Sequence, residues 1–256
     1  MTRVVGVIPA RMGSTRFPGK PLAPIRGAPM LEHVYRRARA CTMLSEVVIA
    51  TCDDAIVRAA AEFGARAIMT SAGHDRASDR VAEVATKDDA EIVVMIQGDE
   101  PLIVPEMIEA AVAPMLRDRS IHCVNLAGRI LSAPELADHN TIKLVASQDG
   151  RALYFSREPI PCAGGRPFSA VDWRKQVCVI PFRRDALLAF ASLPRGRLEE
   201  LESIDMLRFL ENGVGVHVVP IEQETHAVDV PADIEIVTSL LVRNSWHPDG
   251  DAGVPA

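Results

Sequence analysis

Short apolar runs alternate with amphipathic stretches from the first residues onward. Val4 to Ile8 is a β-branched run suited to a buried strand, and Met30 to Ala40 carries helical apolar spacing. Val47 to Ala50 reads as a second buried strand, Ala55 to Phe63 as a helix closed by Gly64, and Ala67 to Met69 as a short strand. Ser78 to Thr86 reads as helix, Glu91 to Ile96 as the most apolar strand, and Pro105 opens a helix at its first turn, where its missing N–H costs nothing. Strands are expected at 122–129, 142–146, 152–155, 177–182 and 216–221, and helices at 183–191, 198–212 and from Pro231 to Leu241.

This alternation predicts an α/β fold with a mostly parallel sheet, right-handed crossovers and flanking helices. Without a repeat or a long linker, the chain reads as one domain over 1–245 with an inserted mixed sub-region near 125–185. The Pro-, Gly- and Asp-rich residues 246–256 read as a loose tail. In a parallel sheet, ligands sit beyond the carboxyl ends of the strands, so loops 9–20, 51–54 and 97–101 should converge.

Composition narrows the class. The 256 residues are 48% hydrophobic, enough for a large core, and carry a net charge of −6. That sign, with aromatics at only 4%, argues against nucleic acid as a partner. No run reaches the ~18 apolar residues of a membrane span, and no signal peptide is apparent at the N-terminus. The five cysteines form no CxxC pair, which suits reduced thiols in a cytoplasm.

The chemistry gathers in the loops. Residues 9–20 read Pro-Ala-Arg-Met-Gly-Ser-Thr-Arg-Phe-Pro-Gly-Lys, small residues around the three cations Arg11, Arg16 and Lys20. Small residues let backbone N–H groups approach an anion, and three fixed charges suit a triphosphate. The loop is neither a Walker A motif, since Pro21 follows Lys20 where a hydroxyl is needed, nor a dinucleotide fingerprint. Asp99 follows the most apolar strand, and Asp229 lies between an apolar strand and a helix. Two strand-end carboxylates facing a cationic loop suit Mg²⁺, which takes one or two carboxylates together with phosphate oxygens. Alone, Asp229 would read more readily as a helix cap than as a metal ligand. The polar cluster His74, Asp75, Arg76, Ser78, Asp79 and Arg80 could read a base or a triphosphate, or simply begin a surface helix.

These residues resemble a known family. VIPARMGSTRFPGKPLAPIRGAPML is similar to the opening of CMP-KDO synthetases (3-deoxy-manno-octulosonate cytidylyltransferases). IQGDEPLI, ALYFSREPIP, LPRGRLEELESIDMLRFLENG and VDVPADIE follow in the family's order, so the resemblance spans about residues 3–240. It implies a Rossmann-like nucleotidyltransferase sheet, a homodimer, and transfer of CMP from CTP to an acidic acceptor with Mg²⁺ and release of pyrophosphate. It further implies Lys20, Arg11, Arg16 and Asp99 as catalytic residues. Ala10, Arg11, Ser14, Lys20, Ala50, Thr51, His74, Ser78, Asp79 and Arg80 would contact the nucleotide. Gln97, Arg157, Gln176 and Asp205 would meet the acceptor, and Asp99 and Asp229 the metal.

The chain departs from the family pattern at several points. The family's Ala-Thr-Asp is Ala50-Thr51-Cys52 here, and its His-x-Ser-Gly-Thr-Asp-Arg is His74-Asp75-Arg76-Ala77-Ser78-Asp79-Arg80. Its His-Leu-Gly-Ile-Tyr-Gly-Tyr strand becomes Gln176 to Phe182, and its Leu-Glu-Gln-Leu-Arg becomes Ile204 to Arg208, with the loss of a His, two Tyr hydroxyls and a Gln amide. Fewer hydrogen-bonding groups suggest, as an alternative, a smaller acid such as the phosphonate phosphonoformate. A non-catalytic nucleotide-binding homologue is a further alternative. A glycosyltransferase is disfavoured because Asp99-Glu100-Pro101 blocks an Asp-x-Asp motif.

Overall fold

The computed structural model describes residues 2–243, so the expected tail at 246–256 lies outside the described residues. Strand β1 (Val4–Ala10) leads through a loop and a hairpin, β2 (Pro24–Ile25) and β3 (Ala28–Pro29), into helix α1 (Met30–Arg39). Then follow β4 (Glu46–Thr51), α2 (Asp54–Glu62), β5 (Arg66–Met69), α3 (Ala77–Thr86), β6 (Ile92–Ile96) and α4 (Pro105–Arg117). The next stretch holds β7 (Val124–Arg129), α5 (Ala133–Ala137), β8 (Lys143–Ala146), β9 (Ala152–Ser156), β10 (Arg174–Val177) and β11 (Val179–Arg183). The last elements are α6 (Arg184–Ser192), α7 (Arg197–Glu202), α8 (Leu207–Glu211), β12 (His217–Pro220) and α9 (Asp233–Arg243).

Two five-stranded sheets result. The first runs β11-β6-β1-β4-β5, parallel throughout except that β11 pairs antiparallel with β6. Every residue of β1 and β6 is buried, as expected of central strands covered on both faces. In this order β1 and β6 are neighbours, although the chain leaves β1 toward β4 and returns to add β6 on the other side. That reversal is a topological switch point, where the loops beyond the two strand ends part and open a crevice.

The second sheet, β12-β7-β10-β8-β9, is the mixed sub-region expected near 125–185, with two corrections to its extent. It recruits β12 from much later in the chain, parallel to β7. The single strand expected at 177–182 is two strands belonging to different sheets, and the chain changes sheet at Cys178. There the Cys178 N–H donates to Glu100 Oε1 at 3.2 Å and its carbonyl accepts the Gln97 N–H at 3.0 Å. These bonds to the loop after β6 take the place of ladder bonds and turn the chain. One continuous core joins the sheets, with Ile8, Ile49 and Val94 of the first packed with Leu126 and Val177 of the second.

The helix expected at 198–212 is also broken. α7 ends at Ser203, which is left-handed at φ 56°, and α8 starts only at Leu207. Among the described residues, no helix is long and apolar enough to cross a membrane.

Candidate active site

The loop after β1 is shaped by its own backbone. Gly19 is left-handed at φ 74° and its N–H donates to the Met12 carbonyl at 3.0 Å, folding the loop back on itself. Ser14 N–H donates to the same carbonyl at 2.9 Å, and the Met12 N–H donates to Asp53 Oδ2 at 2.8 Å. Asp53 was not legible as a site residue. It follows β4 and reaches the loop across 41 positions of sequence, pinning it from outside.

The loop carries Lys20 onto the two carboxylates singled out by their strand-end positions. Lys20 Nζ lies 2.6 Å from Asp99 Oδ2 and 4.0 Å from Asp229 Oδ1, and donates to the Val228 carbonyl at 2.9 Å. Arg16 Nη2 donates to Asp229 Oδ1 at 2.7 Å, and its Nη1 meets Asn140. The backbone brings the carboxylates together, since the Val228 N–H donates to the Asp99 carbonyl at 2.9 Å. Asp233, unremarked in the sequence, accepts the N–H groups of Asp229 and Val230 at 2.7 and 2.8 Å and fixes the turn that presents Asp229. Gly98 lets the loop after β6 pass close to β1, because a Cβ there would meet the Pro9 carbonyl at 3.2 Å.

Burial and the Asp99 charge push the Asp229 carboxyl above the usual carboxylate range, while Lys20 and Arg16 pull it down. Neighbouring Glu100 is buried more deeply. Desolvation, then the Asp99 charge, pushes its carboxyl up to about 7, and its Oε2 has no hydrogen-bond partner. The hard oxygens of Asp99 and Asp229 are of the kind that fit a magnesium ion. Among the described residues no third His, Cys, Asp or Glu completes a protein-only metal cage.

Two cavities meet at this cluster. One, of about 460 Å³, is lined by Ala10, Arg11, Ser14, Arg16, Lys20, His74 and Arg80 with Gln97 and Asp99. The other, of about 400 Å³, is lined by Asp99, Gln97, Arg157, Gln176, Asp205 and Asp229. Arg11, Arg16, Gln97 and Asp99 line both and form part of their common wall, with Lys20 on the side of the first cavity and Asp229 on the side of the second. In the first cavity Arg80 is buried, bonds Thr70 and the Ser71 carbonyl, and leaves Nη2 without a partner. His74 Nε2 lies 2.6 Å from Glu83.

Beside the second cavity, buried Lys143 and half-buried Arg157 have carbonyls as their partners. Lys143 donates to the carbonyls of Asp138, Thr141 and Arg157 at 2.7, 2.9 and 2.5 Å, and burial lowers its pKa. It thereby fixes the backbone that carries Arg157. Arg157 Nε donates to the Glu202 carbonyl at 2.6 Å and Nη2 to the Ser203 carbonyl at 3.3 Å. Gln176 donates to Asn125 Oδ1 at 2.7 Å.

Four expected nucleotide contacts stand outside the first cavity's wall. Ala50 and Thr51 are fully buried at the end of β4, where the Thr51 carbonyl accepts the Thr70 hydroxyl and its Oγ1 accepts the Asp53 N–H. Ser78 is buried, with an unpartnered hydroxyl. Asp79 turns away to Arg208 at 3.1 Å, where Glu199 already makes a bidentate pair at 2.7 Å through both oxygens. Asp79 therefore answers a charge buried beneath α3.

A parallel sheet with a switch point, a cation-rich loop at its strand ends and paired carboxylates facing that loop define a nucleotidyltransferase. A family model described as cytidylyltransferase matches residues 5–223, and the chain belongs to that family. It is 47% identical over 239 residues to the 3-deoxy-manno-octulosonate cytidylyltransferase of Solibacter usitatus, covering 93% of this chain and 94% of that one. It is 43% identical over 250 residues to the enzyme of the same name from Geobacter metallireducens, covering 94% of this chain and 98% of that one. Among solved structures, a CMP:2-keto-3-deoxy-manno-octonic acid synthetase complexed with CTP superposes with a TM-score of 0.87 at 38% identity, over 95% of this chain and 100% of that one. The 4-diphosphocytidyl-2C-methyl-D-erythritol synthase of Anaerococcus prevotii, 15% identical, shares the fold at a TM-score of 0.64 over 94% of this chain and 97% of that one.

Proposed function

We propose that this enzyme transfers CMP from CTP to 3-deoxy-manno-octulosonate, releasing pyrophosphate. The observation that carries the reading is Asp99 on the wall shared by the two cavities, with Lys20 Nζ of the first cavity 2.6 Å from it and 4.0 Å from Asp229 of the second. In an in-line displacement at the α-phosphorus, a bond from the acceptor oxygen forms as the bond to the departing pyrophosphate breaks. The reacting phosphorus therefore has to lie where a nucleotide cavity and an acceptor cavity touch.

In this reading Lys20, Arg11 and Arg16 hold the triphosphate and offset the charge that grows on the leaving group. Ala10, Ser14, His74 and Arg80 line the nucleotide side, and Arg80 offers its unpartnered Nη2. Gln97, Arg157, Gln176 and Asp205 orient the acceptor. Asp99 and Asp229 would hold magnesium, which when bound supplies charge that polarises the α-phosphate.

Relatives 41–47% identical over most of the chain carry the octulosonate cytidylyltransferase name, which supports that acceptor over a smaller phosphonate. Homodimerisation belongs to the same reading. Edge strand β9 exposes Leu153, a surface that a second copy could cover. The reading also places the reaction in the cytoplasm, which suits free thiols at all five cysteines.

Pyrophosphate release in Mg²⁺, with CTP against ATP, UTP and GTP and with 3-deoxy-manno-octulosonate against phosphonoformate, tests the proposal. Release with CTP and the octulosonate is the expected result. No release with that acid would overturn the reading.

A further inference from the structure

Arg76 has no part in the site as built above, yet it lines both cavities. It immediately precedes α3 in extended conformation, and its side chain is mostly buried, at 21% exposure. It occupies the position of the serine in the His-x-Ser-Gly-Thr-Asp-Arg pattern, so the chain has exchanged a small neutral group for a long cation.

The guanidinium is directed toward the break between α7 and α8. Nη1 donates to Ser203 Oγ at 2.8 Å and Nη2 to the Glu199 carbonyl at 3.5 Å. From the other side, Arg157 Nη2 donates to the Ser203 carbonyl at 3.3 Å. Two guanidinium groups, one from the first sheet's crossover and one from the end of β9, therefore converge on one left-handed residue. Each holds that residue by part of its donor fork and keeps N–H groups to spare.

The guanidinium of Arg76 is only partly engaged in hydrogen bonds. Glu199 is its nearest carboxylate, at 3.6 Å from Nε, but Glu199 is committed to Arg208 through both oxygens, and the buried Arg76 Nε has no hydrogen-bond partner. Burial, then the charge of Arg16, lowers the Arg157 pKa, with Arg76 also acting in that direction. Arg16 is answered by Asp229, whereas Arg76 and Arg157, both lining the second cavity, spend their hydrogen bonds on carbonyl and hydroxyl oxygens and keep their charge available there.

We propose that Arg76 is a specificity-determining residue for the acceptor, its guanidinium sharing the acceptor's carboxylate with Arg157. The inference rests on the reading of the second cavity as the acceptor site. Lys20, Arg11 and Arg16 already serve the triphosphate end, whereas Arg76 bonds Ser203, which lines both cavities and adjoins Ile204 and Asp205, lining residues of the second alone. A second guanidinium on the carboxylate also answers the polar groups absent from strands β10 and β11. Grip lost on the acceptor's hydroxyls is regained on its charge, where a hydrogen bond is stronger.

The test is steady-state kinetics with CTP, Mg²⁺ and 3-deoxy-manno-octulosonate on wild type, Arg76→Ala, Arg76→Gln and Arg76→Lys. Arg76→Ala and Arg76→Gln should raise KM for the acid roughly tenfold or more, as expected for a lost charge-assisted hydrogen bond. KM for CTP should stay within twofold, and Arg76→Lys should recover part of the loss. A purely structural pin would not split the two KM values, and calorimetric CTP binding confirms that each variant is folded. Should Arg76→Ala melt, Arg76→Gln, which keeps a donor for Ser203, carries the test. A rise in acid KM below threefold, or an equal rise in CTP KM, overturns the proposal. A wild type inactive with this acid would sink the functional reading, whereas an active wild type with an unaffected Arg76→Gln would sink the Arg76 inference alone.

Discussion

The Asp53 carboxylate accepts the Met12 N–H at 2.8 Å and so fastens the cation loop after β1 to the end of β4. The loop's arginines and lysine meet a polyanion only if its backbone stays in place, and this is a charge-assisted bond to that backbone. Asp53→Ala should loosen the loop and weaken CTP binding roughly tenfold, the worth of one such bond. Asp53→Asn keeps an acceptor oxygen and should lose less. Calorimetric titration with CTP checks both, and equal, near-wild-type affinities would show that the loop holds itself.

Lys20 stands between two carboxylates, paired with Asp99 and sharing Asp229 with Arg16. Lys20→Ala should lower kcat/KM by roughly a hundredfold or more, as when one preorganised electrostatic group is lost. It should also destabilise the metal-free protein, because Asp99 and Asp229 then repel at short range. Added Mg²⁺ should restore more stability to this variant than to wild type. Thermal melts with and without Mg²⁺ check the second point, and equal metal-induced shifts would count against a shared cation site.

What the sequence made legible was the part set by local pattern. The uninterrupted apolar runs of β1, β4 and β6 announce a doubly covered parallel sheet, and the residues at their ends follow from it, so Lys20 and Asp99 could be placed together before any coordinates. The breaks at Cys178 and Ser203 were invisible for the opposite reason. Each is imposed by distant partners, Gln97 and Glu100 at the first and Arg76 and Arg157 at the second, which offer bonds outside the local strand or helix. Asp53 and Asp233 were missed because their work is to accept other residues' backbone N–H groups, which leaves no mark in composition or spacing. Asp79 was assigned to the nucleotide because the motif carries it there, whereas its partner Arg208 lies 129 residues further along.

Arg208 shows what that partnership holds together. It is 2% exposed, paired with fully buried Glu199 and with Asp79, and it stacks 4.2 Å from the Phe190 ring centroid. Removing one member of a buried ion pair leaves the other uncompensated, so Arg208→Ala should cost about 3–5 kcal/mol of folding stability. Replacing Arg208 and Glu199 together with Met and Leu should cost much less, because no orphaned charge remains at Glu199. Denaturant melts of the single and double variants check this. A double variant as unstable as the single one would place the cost in packing against Phe190.

Glu100 gives a prediction in pH. Its folded-state carboxyl is held at about 7 against an ordinary 4.5, because burial and the Asp99 charge oppose ionisation. The unfolded chain therefore releases this proton first as pH rises, and ionisation favours unfolding. The resulting loss of stability grows from near pH 4.5, is nearly complete just above pH 7, and amounts to on the order of 3 kcal/mol. Glu100→Gln has the shape of the protonated acid, keeps an acceptor for the Cys178 N–H and cannot ionise. Measured without metal or nucleotide, the variant should match wild type near pH 5 and exceed it increasingly toward pH 8. Parallel stability curves for the two proteins across that range would mean that Glu100 is ionised and paired in the native state.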